Sequence, residues 1–393
     1  MIYNKSRNKN KGGVGLVRIT NGFFQSTAFM NLTIGNIVMF AVAGVLIYIA
    51  IAKDAEPLLL IPIAFGIILA NVPPDVTGIL NPPTETSPGG VLWYLQQGLV
   101  LGIYPPLIFL GIGALTDFSF MLSYPITIFL GGAAQMGIFI TFLLAKFFGF
   151  SLKQAASIGI IGGADGPTSI YITSKFAPEL LSIIAISAYS YIALIPVLQP
   201  MVSKMLTTKE ERRIRMKPPR KVTKTERVLF PIVTTIIVAL IIPKSLPLIG
   251  MLMFGNLLRE AGVVKRLVEA ASRYILDTVT ILLCVSVGAS ARADIFLTPK
   301  SLLVFGMGAV AFVTAITFGI LFAKLMNLFL KDKINPLIGA AGVSAVPDSA
   351  RVAQRIAQEE DPTNFILMHA MSPNVAGVIG SAVAAGIFLS LIK

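Results

Sequence analysis

Sulfur and imidazole are nearly missing from this chain: Cys284 is the only cysteine and His369 the only histidine among 393 residues. An internal disulfide and a thiolate metal cluster are thereby excluded, and a transition metal loses its preferred ligands. Charge is scarce as well. Only 13% of the residues are charged, against 55% hydrophobic, and the mean hydropathy of +0.81 lies far outside the range of soluble globular domains. No Walker loop, nucleophile elbow, HExxH pair or Gly-rich dinucleotide fingerprint occurs, so ATP-driven chemistry by this chain alone is not expected.

What is present reads as membrane. Apolar stretches, many near the roughly 17 to 25 residues that cross about 30 Å of hydrocarbon and several too short to be simple spans, recur over approximately 33–52, 58–73, 92–115, 124–149, 154–175 and 180–199. After a basic segment they resume over 228–245, 247–258, 271–289, 301–328, 336–356 and 364–392. The expected fold is an all-α polytopic membrane protein with about 10 to 12 transmembrane helices, several of them broken by Gly and Pro. The double proline Pro105–Pro106 should interrupt one of them. Four regions are expected: a polar extension at 1–30, a first membrane unit with its leading helix at 31–200, a basic linker at 201–227, and a second membrane unit at 228–393.

The formal net charge of +13 sits in two places. Residues 1–18 hold five Lys and Arg without an acid, and 204–227 holds ten against three Glu. Both flank apolar spans, so the positive-inside rule reads both as cytoplasmic. No aromatic-interleaved basic surface accompanies the charge, and a nucleic-acid partner is not expected. The first apolar run lacks a small-residue cleavage site and reads as a retained helix rather than a signal peptide.

An internal repeat locates the site. A shift of 180 residues lays IGIIGGADGPTSIY (158–171) on IGAAGVSAVPDSAR (338–351), with Ile, Gly, Gly, Pro and Ser in common. Further matches join 111–125 to 286–299 and 57–72 to 247–262. Duplicated halves with a broken apolar segment at corresponding positions point to a transporter-type site near the midplane, where unwound backbone lines a protein cavity. Inverted repeats of about five elements each are expected, with the first helix outside them.

Asp165 is the sharpest signal, because an ionised carboxylate at bilayer depth needs a cation, a hydrogen-bond shell or a proton to offset its cost. Gly162, Gly163, Gly166 and Pro167 break the helix beside it, and Thr168 and Ser169 add hydroxyl oxygens. That oxygen-rich set suits a hard cation. In the second repeat, Asn335 and Ser344 can ligate or hydrogen-bond, and Gly339 permits close backbone approach. Arg351 can hold a carboxylate bidentately or snorkel to the interface. One of Tyr189 and Tyr191 can ligate or relay a proton. Asn374, after Pro373, is either a third ion ligand or an interhelical partner, and Gly377, Gly380, Ser381 and Gly386 form a thin packing face.

The segments GGADGPTSIYITSKFAPELL, SAYSYIALIPVLQP, NPLIGAAGVSAVPDSARV and LMHAMSPNVAGVIGSAVAAG closely resemble the beta subunit of sodium-pumping biotin-dependent decarboxylases, a family acting on oxaloacetate, methylmalonyl-CoA or glutaconyl-CoA. EPLLLIPIAFG, PPLIFLGIGALTDF and FGNLLREAGVVKRL extend the resemblance over everything from about residue 30 onward. It implies a subunit that decarboxylates carboxybiotin on a biotin-carrier protein, consumes a proton and exports Na+. It implies Asp165, Asn335 and Asn374 as Na+ ligands, and Tyr191, Gly339, Ser344 and Arg351 in ion or proton coupling and carboxybiotin handling. It further implies an elevator-type transporter, a trimer of beta subunits, a carboxyltransferase alpha subunit, a small single-span membrane subunit and the bacterial inner membrane. Asp348 departs from the family pattern, which has an apolar residue there. Overall likeness leans to an acyl-CoA substrate. A stand-alone Na+-coupled carboxylate transporter is the rival that the same repeat and breaks also fit.

Overall fold

The structure, a computed structural model, describes residues 27–54, 56–343 and 347–393. Among these the only strand-like pairing is an isolated bridge between Thr84 and Ser87, as expected of a chain whose backbone groups must be satisfied within helices. Five helices are long and apolar enough to cross a bilayer, or seven if each of two bent pairs is one span. The chain is thus an all-α, multi-pass membrane protein.

Helix α1 (Ile34–Ala52), started by a Thr33 capping box, begins where Gly35 meets Ala293. α2 (Pro57–Asn71) returns to that face, and Asn71 Nδ2 donates to the Ala291 carbonyl at 2.8 Å. α3 (Val91–Val100) and α4 (Tyr104–Leu115) form one span bent by 66°. Gly102, with φ of +73°, makes the turn, and Pro105 and Pro106 then fall in the first turn of α4, where a missing N–H costs no hydrogen bond. α4 ends at the other face, its last carbonyl held by the Arg259 guanidinium. α5 (Ile128–Ala134) and α6 (Met136–Phe147) cross back.

The next segment does not cross. In α7 (Leu152–Gly159) and α8 (Gly166–Phe176) the outer ends lie together, because Gln154 Nε2 donates to Glu179 Oε1 at 3.0 Å. α9 (Leu181–Ala193) and α10 (Ile195–Leu206), bent by 65°, then run to the linker. From the linker, α11 (Lys224–Ile241) and α12 (Leu246–Ala261) run to the opposite face and back. A span over Lys265–Ala289 follows; it contains a π-helical turn at Ala270–Ile275 and α13 (Leu276–Ala289). α14 (Pro299–Met326) returns to the linker, where Lys324 pairs with Glu211 at 3.1 Å. A second hairpin, α15 (Leu337–Ala340) and α16 (Asp348–Glu360), again has both ends on one face, since Asn335 and Asn364 each donate to the Arg212 and Ile214 carbonyls. α17 (Leu367–Leu391) leaves from there.

The hairpins enter from opposite faces and their tips meet along α5–α6 and α14. A Cβ on Gly137 would strike Ala311, Ala315 and the carbonyl of Gly162 in the first tip, while a Cβ on Gly319 or Gly339 would overlap the other's carbonyl. Contact between backbones at this range requires residues without side chains.

The charge pattern places both basic segments on one face, whereas α1 starts on the face opposite the linker. The reason is parity: the first hairpin adds two helices that end on the face where they began, which leaves an odd number of passes between the two faces before the linker. The cations of 1–26 lie outside the described residues. The linker itself is a bound strap. Arg212 is buried and pairs with Glu360 at 2.5 Å; Arg215 pairs with Asp361 at 2.8 Å, and a His369 ring nitrogen bonds the Lys217 carbonyl at 2.7 Å. The Thr363 hydroxyl and then Arg215 pull the Asp361 carboxyl down to about 2. Its folded value lies below its unfolded one, so this contribution is complete above the unfolded value and fades only as pH falls from about 4 toward about 2.

Two outcomes follow from these contacts. Gly319→Ala should lower the melting temperature of the detergent-purified protein by several degrees, the overpacking costing about 1–3 kcal/mol, whereas Gly306→Ala, whose new methyl meets nothing within 4 Å, should be neutral or stabilising. Arg212→Gln should speed tryptic cleavage within 209–221 several-fold; an unchanged rate would mean the strap is held without that ion pair.

Candidate functional site

The first break is built residue by residue between Gly159 and Pro167. A Ser151 capping box starts α7, and a 3₁₀ turn over Ile160–Gly163 ends it. Ala164, fully buried, then takes φ of +50°, a left-handed conformation that costs free energy in a residue with a Cβ and clusters at functional sites. Asp165 follows in extended geometry as the N-cap of α8, and Pro167 presets its first turn. The break therefore presents the carbonyl end of α7 and the amide end of α8 to one point.

Asp165 is 5% exposed, and both oxygens of its carboxylate accept hydrogen bonds. Oδ2 accepts from Thr168 Oγ1 and Ser381 Oγ, each at 2.6 Å, and Oδ1 accepts from the Thr168 amide at 3.3 Å. Ser169 Oγ donates to the Asp165 carbonyl at 2.8 Å. The Tyr189 ring covers Gly166 so closely that a Cβ there would overlap it. Hydrogen-bond donors on every side make a site that tolerates a carboxylate inside the protein, and the same hydroxyl oxygens can turn their lone pairs to a cation.

The second break is held by the helix that also supplies Ser381. Asn374 Nδ2 donates to the carbonyls of Val343 at 2.9 Å and Ala341 at 3.3 Å, and to Ser349 Oγ at 2.8 Å. Ser349 Oγ itself donates to the Ala341 and Val343 carbonyls, and Gln199 holds the Ser349 carbonyl. Asn374 and Ser381 are seven residues apart, two turns on one face of α17 and about 10 Å along its axis. One helix thus touches both breaks.

The sequence-derived residues divide accordingly. Asp165 and Asn374 lie on this α17-centred arrangement. Gly339 lies at the backbone contact with Gly319. Asn335 sits at the base of its hairpin, its amide committed to the linker carbonyls and its Oδ1 accepting from the Leu337 amide at 3.1 Å; it is not at the Asp165 carboxylate. Tyr191 donates its hydroxyl to the Phe305 carbonyl at 2.8 Å, so Tyr189 rather than Tyr191 adjoins Asp165. Arg351 is 64% exposed at its side chain and pairs with Asp348 at 3.2 Å. Burial, and then the neighbouring Asp348 carboxyl, push the Glu56 carboxyl at the head of α2 up to about 7. Ser344 lies outside the described residues. Cys284 is buried and free. Ser381 entered the sequence reading only as part of a small-residue face; its spacing of seven from Asn374 is the signal that places it at the site.

Comparison with known proteins agrees with a multi-pass membrane protein and shows its family. A family profile described as the Na+-transporting oxaloacetate decarboxylase beta subunit matches residues 35–392. The methylmalonyl-CoA decarboxylase subunit beta of Propionigenium modestum is 52% identical over 388 residues, covering 94% of this chain and 98% of that protein. The glutaconyl-CoA decarboxylase subunit beta of Acidaminococcus fermentans is 52% identical over 368 residues, with 94% and 96% covered. The oxaloacetate decarboxylase beta chain of Klebsiella pneumoniae is 46% identical over 426 residues, with 95% and 98% covered. With matches of this length across three decarboxylase types, the chain belongs to the family of beta subunits of Na+-transporting decarboxylases and is a multi-pass membrane subunit of a decarboxylase.

Proposed function

We propose that the chain decarboxylates N-carboxybiotin presented by a biotin-carrier partner and couples that step to Na+ export across the bacterial inner membrane. The observation that carries this reading is the buried Asp165 carboxylate at a helix break, ringed by Thr168 and Ser381 hydroxyls, on the helix that also holds the second break. In the reaction the bond between the carboxylate carbon and the ureido nitrogen breaks. CO2 leaves, and the electron pair stays on nitrogen and takes a proton, so one proton is consumed per turnover. The exposed Arg351 guanidinium is the group that meets the carboxylate of the incoming cofactor arm. Asp165 is where Na+ and the proton compete, each able to neutralise a carboxylate that is paired with no cationic side chain among the described residues.

The reading extends to architecture. α1 to α10 pass between the two faces in the reverse sense of α11 to α17, each set having five passes and one hairpin, which favours two inverted repeats, 31–200 and 228–393; the count takes α1 into the first, where the sequence alone sets it outside. The hairpins, α5, α6, α14 and α17 pack together as a core, and α1–α4 pack with α11–α13 as a scaffold, the division an elevator-type trimer requires. The linker 201–227 is the cytoplasmic strap. A carboxyltransferase alpha subunit and a small single-span subunit complete the complex. The alpha subunit chooses the acyl substrate, and the two relatives at 52% identity, both named for acyl-CoA substrates, favour that class over oxaloacetate.

In the assembled complex in proteoliposomes, Asp165→Asn should abolish both Na+-dependent decarboxylation and 22Na+ uptake; full Na+ stimulation in this variant would overturn the assignment. Ser381→Ala should raise the half-saturating Na+ concentration about tenfold, the loss expected for one hydrogen bond to a charged group, with substrate KM unchanged.

A further inference from the structure

Gln135 lies at the junction of α5 and α6 and is 5% exposed. Its Nε2 donates to the Gly131 carbonyl at 3.2 Å, while its Oε1 is buried without a hydrogen-bond partner among the described residues. Flipping the amide would set oxygen against the Gly131 carbonyl and orphan the NH2, so the orientation is fixed by the bond it makes. Unpaired buried acceptors are rare in native proteins and call for an explanation.

Three elements converge on that oxygen. A Cβ built on Gly163 would stand 3.3 Å from Gln135 Oε1 and 3.0 Å from Ser381 Cβ, and a Cβ on Gly380 would stand 2.9 Å from Gln135 Cγ. The amide is therefore wedged between the first break and α17, on the side of Ser381, whose hydroxyl holds Asp165. Glycine at 163 and 380 is what lets it in. Ser381 links this amide to the first break, since its hydroxyl and that of Thr168 both donate to Asp165 Oδ2. One negative charge and several neutral oxygens form a donor set suited to a hard monovalent cation.

We propose that Gln135 Oε1 is a neutral ligand of the Na+ held at Asp165, so that the ion site extends from the first break onto the α5–α6 junction. This rests on the reading of Asp165 as the ion site. It assigns the orphaned acceptor its partner, and it makes Na+ the piece that ties the first hairpin, α17 and the α5–α6 bend together. An ion so placed draws ligands from three elements and stiffens their packing when bound.

The test uses the assembled complex, with Na+ titrated as the chloride at constant ionic strength. Gln135→Met keeps the shape and removes the amide. It should raise the half-saturating Na+ for decarboxylation about tenfold, as expected for loss of one ligand to a charged group, with kcat at saturating Na+ within about twofold. It should also shrink the Na+-induced rise in melting temperature, which reports binding without turnover. Gln135→Asn, which withdraws the oxygen by one methylene, should fall between the two and keeps the proposal testable if the Met variant does not assemble. Na+ half-saturation and thermal shift equal to wild type in either folded variant would overturn the assignment and leave the amide a packing group. Should Asp165→Asn also keep its Na+ response, the reading of the first break itself has failed, an outcome separable from failure at Gln135 alone.

Discussion

The whole architecture depends on the cost of holding one carboxylate away from water. A buried charge with no partner is among the most unfavourable things a fold can contain, and Asp165 is accommodated because its oxygens accept from Thr168, Ser381 and a backbone amide. Each of those donors has a structural requirement. The Thr168 amide is available only because α8 starts there, which needs the break; Ser381 reaches only because glycines at 163 and 380 let α17 approach. The break in turn needs a left-handed Ala164 and a hairpin that never crosses the membrane. A single polar group thus dictates local conformation, helix packing and topology in sequence.

The second hairpin solves a different problem with related means. It brings no acid to its tip beyond Asp348, which is engaged with Arg351 and Glu56, and its unwound carbonyls are satisfied by the amide of Asn374 and the hydroxyl of Ser349. The asymmetry is chemical: one tip is a carboxylate surrounded by donors, the other is a run of carbonyls capped by an amide, with an exposed guanidinium one turn away. Helix α17 touches both, with Asn374 and Ser381 on one stripe. Displacing one tip along that helix changes the environment of the other.

Much of this was legible from residues alone, and the limits have physical causes. A lone acid among glycines within an apolar run announces Asp165, and the 180-residue shift announces its counterpart. Periodicity, however, cannot distinguish a hairpin that turns back from a span that continues past a break, because the residues on both sides of the break are buried either way; the pairing of Gln154 with Glu179, 25 residues apart, shows the reversal. Asn335 looks like a ligand because it precedes a break, and it lies at the hairpin base, where a strap 121 to 123 residues earlier in the chain claims its amide. Tyr189 and Tyr191 are two residues apart and therefore on different faces of one helix, so residue type could not choose between them. Gln135 carries no sequence signal at all, since its meaning comes from which glycines face it.

The strap that claims Asn335 and Asn364 is made before the hairpin it clamps. During synthesis the linker emerges with the carbonyls of Arg212 and Ile214 unmatched and the Arg212 guanidinium without its carboxylate, and more than a hundred residues pass before these partners appear. The base of the second hairpin is accordingly a docking template laid down early, and the last elements of the chain close onto it. Order of manufacture, and not only final stability, is written into the position of those few contacts.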